Sequence, residues 1–119
     1  AGRLDDPILA WGGREEFVDA RDCARANLLA LEAVAPRQRV FNIANGGWQT
    51  MAEFVSAAQA ALGPFAMTLP EEPATGFAGF PHRRPARSDL SAAREQLRFE
   101  PAHGLEDSIR YWTGARHGA

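Results

Sequence analysis

The sequence predicts an α/β fold whose sheet is incomplete by itself, and three observations predict it. Short apolar, partly β-branched runs alternate with stretches of helical periodicity, in the order strand, helix, strand, helix, strand, loop, helix, helix. The runs are punctuated by glycine and proline: Gly12-Gly13, Asn45-Gly46-Gly47 and Gly63-Pro64. Three short strands are few for a parallel sheet, which needs helices over both faces. The chain therefore reads as part of a larger sheet.

The first strand is expected within Arg14 to Val18, with Phe17 and Val18 as its apolar part. Asp19 and Asp22 then offer side-chain oxygens for a helix N-cap. Ala20, Ala24, Leu28 and Leu31 recur at helical spacing, and the helix should end before Pro36. Arg39-Val40-Phe41-Asn42-Ile43-Ala44 reads as a buried strand running into the tight turn at Asn45-Gly46-Gly47. Thr50-Met51-Ala52-Glu53 is a capping box, in which the hydroxyl and the carboxylate satisfy each other's free backbone N–H groups. Met51, Phe54, Val55, Ala58, Ala61 and Leu62 follow on one face, and Gly63-Pro64 stops this second helix. Phe65 to Leu69 is a third short strand, and the Gly- and Pro-rich segment from Glu71 to Pro81 is a loop. Ser88 or Asp89 caps a helix carrying Leu90, Ala93 and Leu97. A turn at Glu100-Pro101 leads to a last helix with Leu105, Ile109 and Trp112 aligned.

The 119 residues suit one domain, of ordinary globular composition at 45% hydrophobic and 24% charged. A net charge of -2 argues against a general nucleic-acid binder. The cations are all arginine, scattered except for Arg83, Arg84 and Arg87. A single cysteine, Cys23, excludes an internal disulfide and fits a reducing, cytoplasmic setting. No apolar run approaches the roughly 20 residues that cross a bilayer. The chain starts without methionine or signal-peptide character, which is compatible with a processed or truncated protein.

Several residues invite a chemical reading. His82, His103 and His117 stand too far apart, without acid or thiol partners at ligand spacing, for a metal site. Cys23 falls on the apolar side of its helix, as a small buried residue does. Asn45-Gly46-Gly47 lies between a strand and a helix, as a phosphate cradle would, but lacks the spacing of a dinucleotide or P-loop motif, so a tight turn is the reading. Glu15 and Glu16 are neighbours and would point to opposite faces of an extended chain. Trp11, Trp48 and Trp112 are packing residues or mark a contact surface.

Together these segments resemble the extended short-chain dehydrogenase/reductase group, in particular its nucleotide-sugar epimerases and dehydratases. Glu15-Glu16-Phe17-Val18-Asp19-Ala20-Arg21-Asp22-Cys23-Ala24 with the alanine-rich helix is similar to that family's late R-D-F-V-H-V-D-D-V-A segment. Val40-Phe41-Asn42-Ile43-Ala44 is similar to its V-Y-N-I-G strand. Arg84-Pro85, Asp89-Leu90-Ser91-Ala92-Ala93, Leu97-Arg98-Phe99-Glu100-Pro101 and Leu105-Glu106-Asp107-Ser108-Ile109 follow its Arg-Pro pair, its D-x-S-K-A start, its L-G-F-x-P turn and its closing helix. The similarity runs from about Gly12 to Trp112, in the family's order. The chain departs from the pattern at Glu15, Asp19, Ala92 and Arg98.

The resemblance implies that residues 1–119 are the C-terminal, substrate-binding portion of a Rossmann-type enzyme. In the parent enzyme an N-terminal half would bind NAD or NADP, and a Tyr and Lys pair would move protons. No Gly-rich fingerprint is present, the one tyrosine is Tyr111, and there is no lysine, so catalysis by this chain alone is not expected. The partner ligand implied is a nucleotide-sugar, its diphosphate held by arginine. Arg84 matches the family's arginine before proline, with Arg83 or Arg87 as alternatives. Phe17 matches an aromatic of the nucleotide pocket or is plain core. Asn42 approaches the ligand or fixes a neighbouring loop. The family's earlier phosphate arginine is replaced by Glu15, and Arg14, one position off, is not expected to substitute for it. The alternatives to an enzyme portion are a non-catalytic nucleotide-binding module and an interaction domain that covers its sheet edge with another chain or by homo-oligomerisation.

Overall fold

The computed structural model describes residues 11–73, 75–77 and 80–117. Strand β1 is Arg14–Glu15 and pairs antiparallel with β2, Gln49–Thr50, with Arg14 opposite Thr50 and Glu15 opposite Gln49. The chain passes Pro70 so closely that a Cβ on Gly12 would lie 2.3 Å from the Pro70 carbonyl oxygen. Glycine at that position is therefore required by the close approach.

Helix α1 is Ala20–Glu32. Asp19 is its N-cap, and its carboxylate accepts the Arg21 N–H at 2.7 Å. Asp22, the other candidate cap, does something different. It is buried, and its carboxylate accepts the backbone N–H groups of Ala102 at 3.1 Å and His103 at 3.0 Å, with the Arg25 guanidinium at 3.3 Å. Those two N–H groups lie just before helix α3, Leu105–His117, so Asp22 fixes where α3 begins relative to α1.

Helix α2 is Met51–Leu62, and both halves of its capping box form, Glu53 N–H to Thr50 Oγ1 at 3.1 Å and Thr50 N–H to Glu53 Oε2 at 2.8 Å. Gly63 ends it in the left-handed region, φ 99°, where glycine carries no Cβ penalty. Met51, Val55 and Ala58 form its buried face, and α3 is the element it packs against most. A second cluster joins Ala26 of α1 to Ala93, Leu97 and Phe99, with Leu29, Phe41 and Ile43 against it.

The expected helix after Asp89 starts as foreseen: the Asp89 carboxylate accepts the Ser91 N–H at 2.9 Å. It then widens into a π-type turn over Ala93–Leu97. Arg98 ends that turn with φ 56°, which lets the wholly buried Phe99 donate its N–H to the Ala93 carbonyl at 3.1 Å. The resemblance places glycine at this position. Arginine adopts the same left-handed conformation at a cost of about 1–2 kcal/mol.

The expected strands are corrected in three places. The first is only two residues long; Phe17 and Val18 lie outside it. Arg39 to Ala44 forms no ladder among the described residues, with bends at Arg39 and Ala44, and Val40 is 81% exposed. Phe65 to Leu69 contributes only an isolated bridge at Thr68. The sheet among the described residues is thus antiparallel, not parallel. A parallel strand needs a neighbour through a crossover, and among the described residues no strand pairs with Val40 to supply one. The radius of gyration, 16.8 Å, exceeds the roughly 13.5 Å of a compact chain of this length.

Two stability measurements follow from these contacts. Asp22→Ala leaves two backbone donors and a guanidinium without their acceptor, and is expected to cost about 3 kcal/mol in urea unfolding. Arg98→Gly relieves the left-handed strain at an exposed side chain, less the backbone entropy glycine adds, and should raise the urea midpoint by the equivalent of about 0.5 kcal/mol at unchanged slope.

Candidate functional site

The end of β1 and the loop after Pro81 enclose a polar cleft of about 400 Å³, lined by Trp11, Arg14, Glu15, Gly76, His82, Arg83, Arg84 and Pro85. Gly76 permits the loop to close there: a Cβ on it would meet the His82 carbonyl oxygen at 2.5 Å. Three guanidinium groups line this cleft. Arg14 lies over the face of Trp48 with its Cζ 5.0 Å from the ring centre, and Arg84 approaches the same ring at 5.9 Å. Arg83 Nη1 pairs with Glu72 at 2.8 Å.

Arg84 is anchored from below. Its Nη2 lies 3.0 Å from Glu16 and donates to Ser88 Oγ at 2.8 Å. The Glu16 side chain is 1% exposed, and it also accepts the Ser88 N–H at 2.9 Å and the Ser88 hydroxyl at 2.7 Å. Arg84 Nη1 meets Glu15 at 3.1 Å. Both carboxylates of the Glu15-Glu16 doublet thus reach one guanidinium, contrary to the expectation from an extended chain. The reason is that Glu16 lies past the end of β1, where strict alternation stops.

Of the residues singled out from sequence, the structure brings Arg83 and Arg84 together and adds Arg14. Arg87 lines a separate cleft of about 380 Å³ with Gly46, Ser88 and Arg94. Asn42 lines another, and its Nδ2 donates to the Asp89 carbonyl at 3.2 Å, fixing a neighbouring segment. Phe17 packs against Phe54 with ring centres 5.6 Å apart and planes tilted by 40°, in an apolar cleft of about 490 Å³ walled by Leu105, Ile109 and Trp112 of α3. Reading sequence alone set Arg14 aside, took Trp48 only as a packing or contact residue, and missed the Glu16–Ser88 anchor. Trp48 and Arg14 are joined by the β1–β2 pairing, which spacing along the chain does not reveal.

A charged cluster borders the apolar cleft. Arg21 bridges Asp19 at 2.9 Å and Asp107 at 3.0 Å, and stacks on Tyr111 at 3.8 Å. The hydrogen bonds from Arg21 hold the Asp19 carboxyl well below the usual carboxylate range, against the opposing effect of its burial. His103 Nδ1, 2.6 Å from Asp107, lowers that carboxyl too. This cluster ties α1 to α3 and is structural.

The turn at Asn45-Gly46-Gly47 does not fit a dinucleotide. Asn45 Oδ1 accepts the Gly47 N–H at 3.1 Å, closing the turn on itself. The N-terminus of α2 beyond it is already satisfied by its capping box and carries the negative Glu53. A Cβ on Gly47 would meet nothing within 4 Å, so no close approach requires glycine there. Among the described residues no cluster of His, Cys, Asp or Glu could hold a metal, and no helix is long and apolar enough to cross a membrane.

No model of a known protein family matches this chain, and no curated protein sequence does. Solved structures do match. The UDP-glucose-4-epimerase of Stenotrophomonas maltophila, with bound NAD and formylated UDP-arabinopyranose, superposes with a TM-score of 0.71 at 18% identity, over 97% of this chain and 37% of that one. The UDP-glucose 4-epimerase of Thermotoga maritima, with UDP-glucose, gives 0.69 at 22% identity, over 94% and 36%. The ADP-L-glycero-D-manno-heptose-6-epimerase of Helicobacter pylori gives 0.68 at 20% identity, over 94% and 32%. This chain has the fold of one part of these epimerases and spans about a third of their length.

Proposed function

We propose that residues 1–119 are the nucleotide-sugar-binding portion of an epimerase- or dehydratase-like enzyme, completed by a cofactor-binding Rossmann portion outside this sequence. The observation that carries the proposal is the meeting of Arg14, Arg83 and Arg84 in one cleft beside Trp11, in a chain with this fold. A planar guanidinium binds two phosphate oxygens at once, and three of them around one cleft suit a diphosphate. The Trp11 indole in the cleft wall offers aromatic surface to the rest of a nucleotide.

NAD or NADP would supply the hydride chemistry of such an enzyme, but the one turn between an expected strand and a helix, Asn45-Gly46-Gly47, is closed on itself and does not fit it. What this chain would do is bind and orient: Arg84, anchored on Glu16 and Ser88, presents its outer edge to the cleft, and Arg14 and Arg83 add charge beside it. Localisation in the cytoplasm accords with a nucleotide-sugar ligand and is part of the proposal.

A second reading has its own observation. The segment 38–43 has no ladder partner among the described residues and leaves Val40 exposed. Leu28, Leu31 and Val34 are exposed as well. Unpaired backbone and exposed apolar side chains invite pairing with another chain or with a second copy.

Calorimetry separates the two. With protein at about 0.1 mM, UDP and UDP-glucose should release heat at low salt, and Arg84→Gln should weaken either by about tenfold. Absence of heat with every nucleotide would remove the binding reading. For the second, light scattering should show association rising with concentration, and Val40→Lys should return a monomer. A wild-type monomer at all concentrations would count against it.

A further inference from the structure

We infer that Glu15 is a built-in competitor for the anion at Arg84, so that this cleft takes up a diphosphate only by displacing the chain's own carboxylate. The inference rests on the reading of the cleft as an anion site.

The two carboxylates on Arg84 are not equivalent. Glu16 is a fixed support, 1% exposed, bonded to the backbone and the hydroxyl of Ser88 as well as to Nη2. Glu15 stands in the cleft itself, its side chain 19% exposed. It uses one oxygen, Oε1, which meets Arg84 Nη1 at 3.1 Å and accepts the Glu16 N–H at 3.1 Å. Turning Glu15 out toward water breaks one ion pair at a half-exposed guanidinium and frees the Glu16 N–H, while the Glu16 carboxylate keeps its bonds to Arg84 Nη2 and to Ser88. Arg84 then shows its Nη1 edge to the cleft while Nη2 stays anchored.

The other charges around the cleft leave this role to Glu15. Arg83 is paired with Glu72, and Arg14 rests on the Trp48 ring. An incoming diphosphate meets Glu15 as its like-charged neighbour at Arg84. If Glu15 stays, like charges sit side by side in a partly desolvated cleft; if it leaves, its ion pair is lost. Both lower the affinity for anions, and neither acts on an uncharged ligand. Glu15 therefore sets how strongly the cleft discriminates a diphosphate from a neutral sugar or nucleoside. It stands where the resemblance carries an arginine, so the sign of that position is reversed in this chain.

The test titrates inorganic pyrophosphate, UDP and uridine into wild type, Glu15→Gln, Glu15→Ala and Arg84→Gln, with thermal melts to confirm folding. Glu15→Gln keeps the side-chain shape, and Glu15→Ala removes any hydrogen bond the amide itself would offer. Both Glu15 variants are expected to bind pyrophosphate and UDP about tenfold tighter than wild type at low salt, with uridine unchanged and the gain shrinking as salt rises. A gain below twofold in both variants, while wild type binds UDP in a manner that Arg84→Gln abolishes, overturns the role of Glu15 and leaves the anion site standing. No phosphate binding by wild type or by either folded Glu15 variant overturns both.

Discussion

The buried carboxylate of Asp22 is the contact on which the rest of this molecule depends. It sits in the first turn of α1 and reaches across the chain to the N–H groups of Ala102 and His103. Backbone donors in a buried position must be satisfied, and here one side chain satisfies two of them. That bond sets the start of α3, and α3 in turn covers α2 and walls the apolar cleft. Around it the Arg25 guanidinium also donates to the Glu100 carbonyl and lies over the Phe99 ring at 5.3 Å. Polar bonds of this kind, more than a large apolar interior, link the two small packing clusters.

The helices were legible in the sequence because their signals are local. The capping box at Thr50, the N-cap at Asp19 and the stop at Gly63 each involve residues within four positions of one another. The strands were not legible, because a strand is defined by its neighbour. Val40 to Ala44 has the composition of a buried strand, yet among the described residues nothing pairs with it in a ladder. The likeness to about a third of each matching epimerase is consistent with that missing neighbour.

The candidate site was half legible for the same reason. Arg84 was singled out by the resemblance to an arginine before proline, with its neighbour Arg83 as the alternative. Arg14 was set aside by a register argument, and the structure places it in the same cleft. Glu16 and Ser88 are 72 residues apart, and only the folded chain shows that one carboxylate organises the loop carrying Arg84. Arg98 tells the opposite story: the resemblance marks it as a departure from glycine, and its backbone retains the glycine conformation regardless.

The arrangement at Trp48 has a consequence for observing the protein. Two guanidinium groups face its ring, one of them on the loop after Pro81 and the other on β1. Indole emission responds to nearby charge, so once Trp11 and Trp112 are replaced by phenylalanine, the colour and intensity of Trp48 would register where those cations stand. Such a variant would carry, without any label, an optical gauge of the loop's position over the cleft.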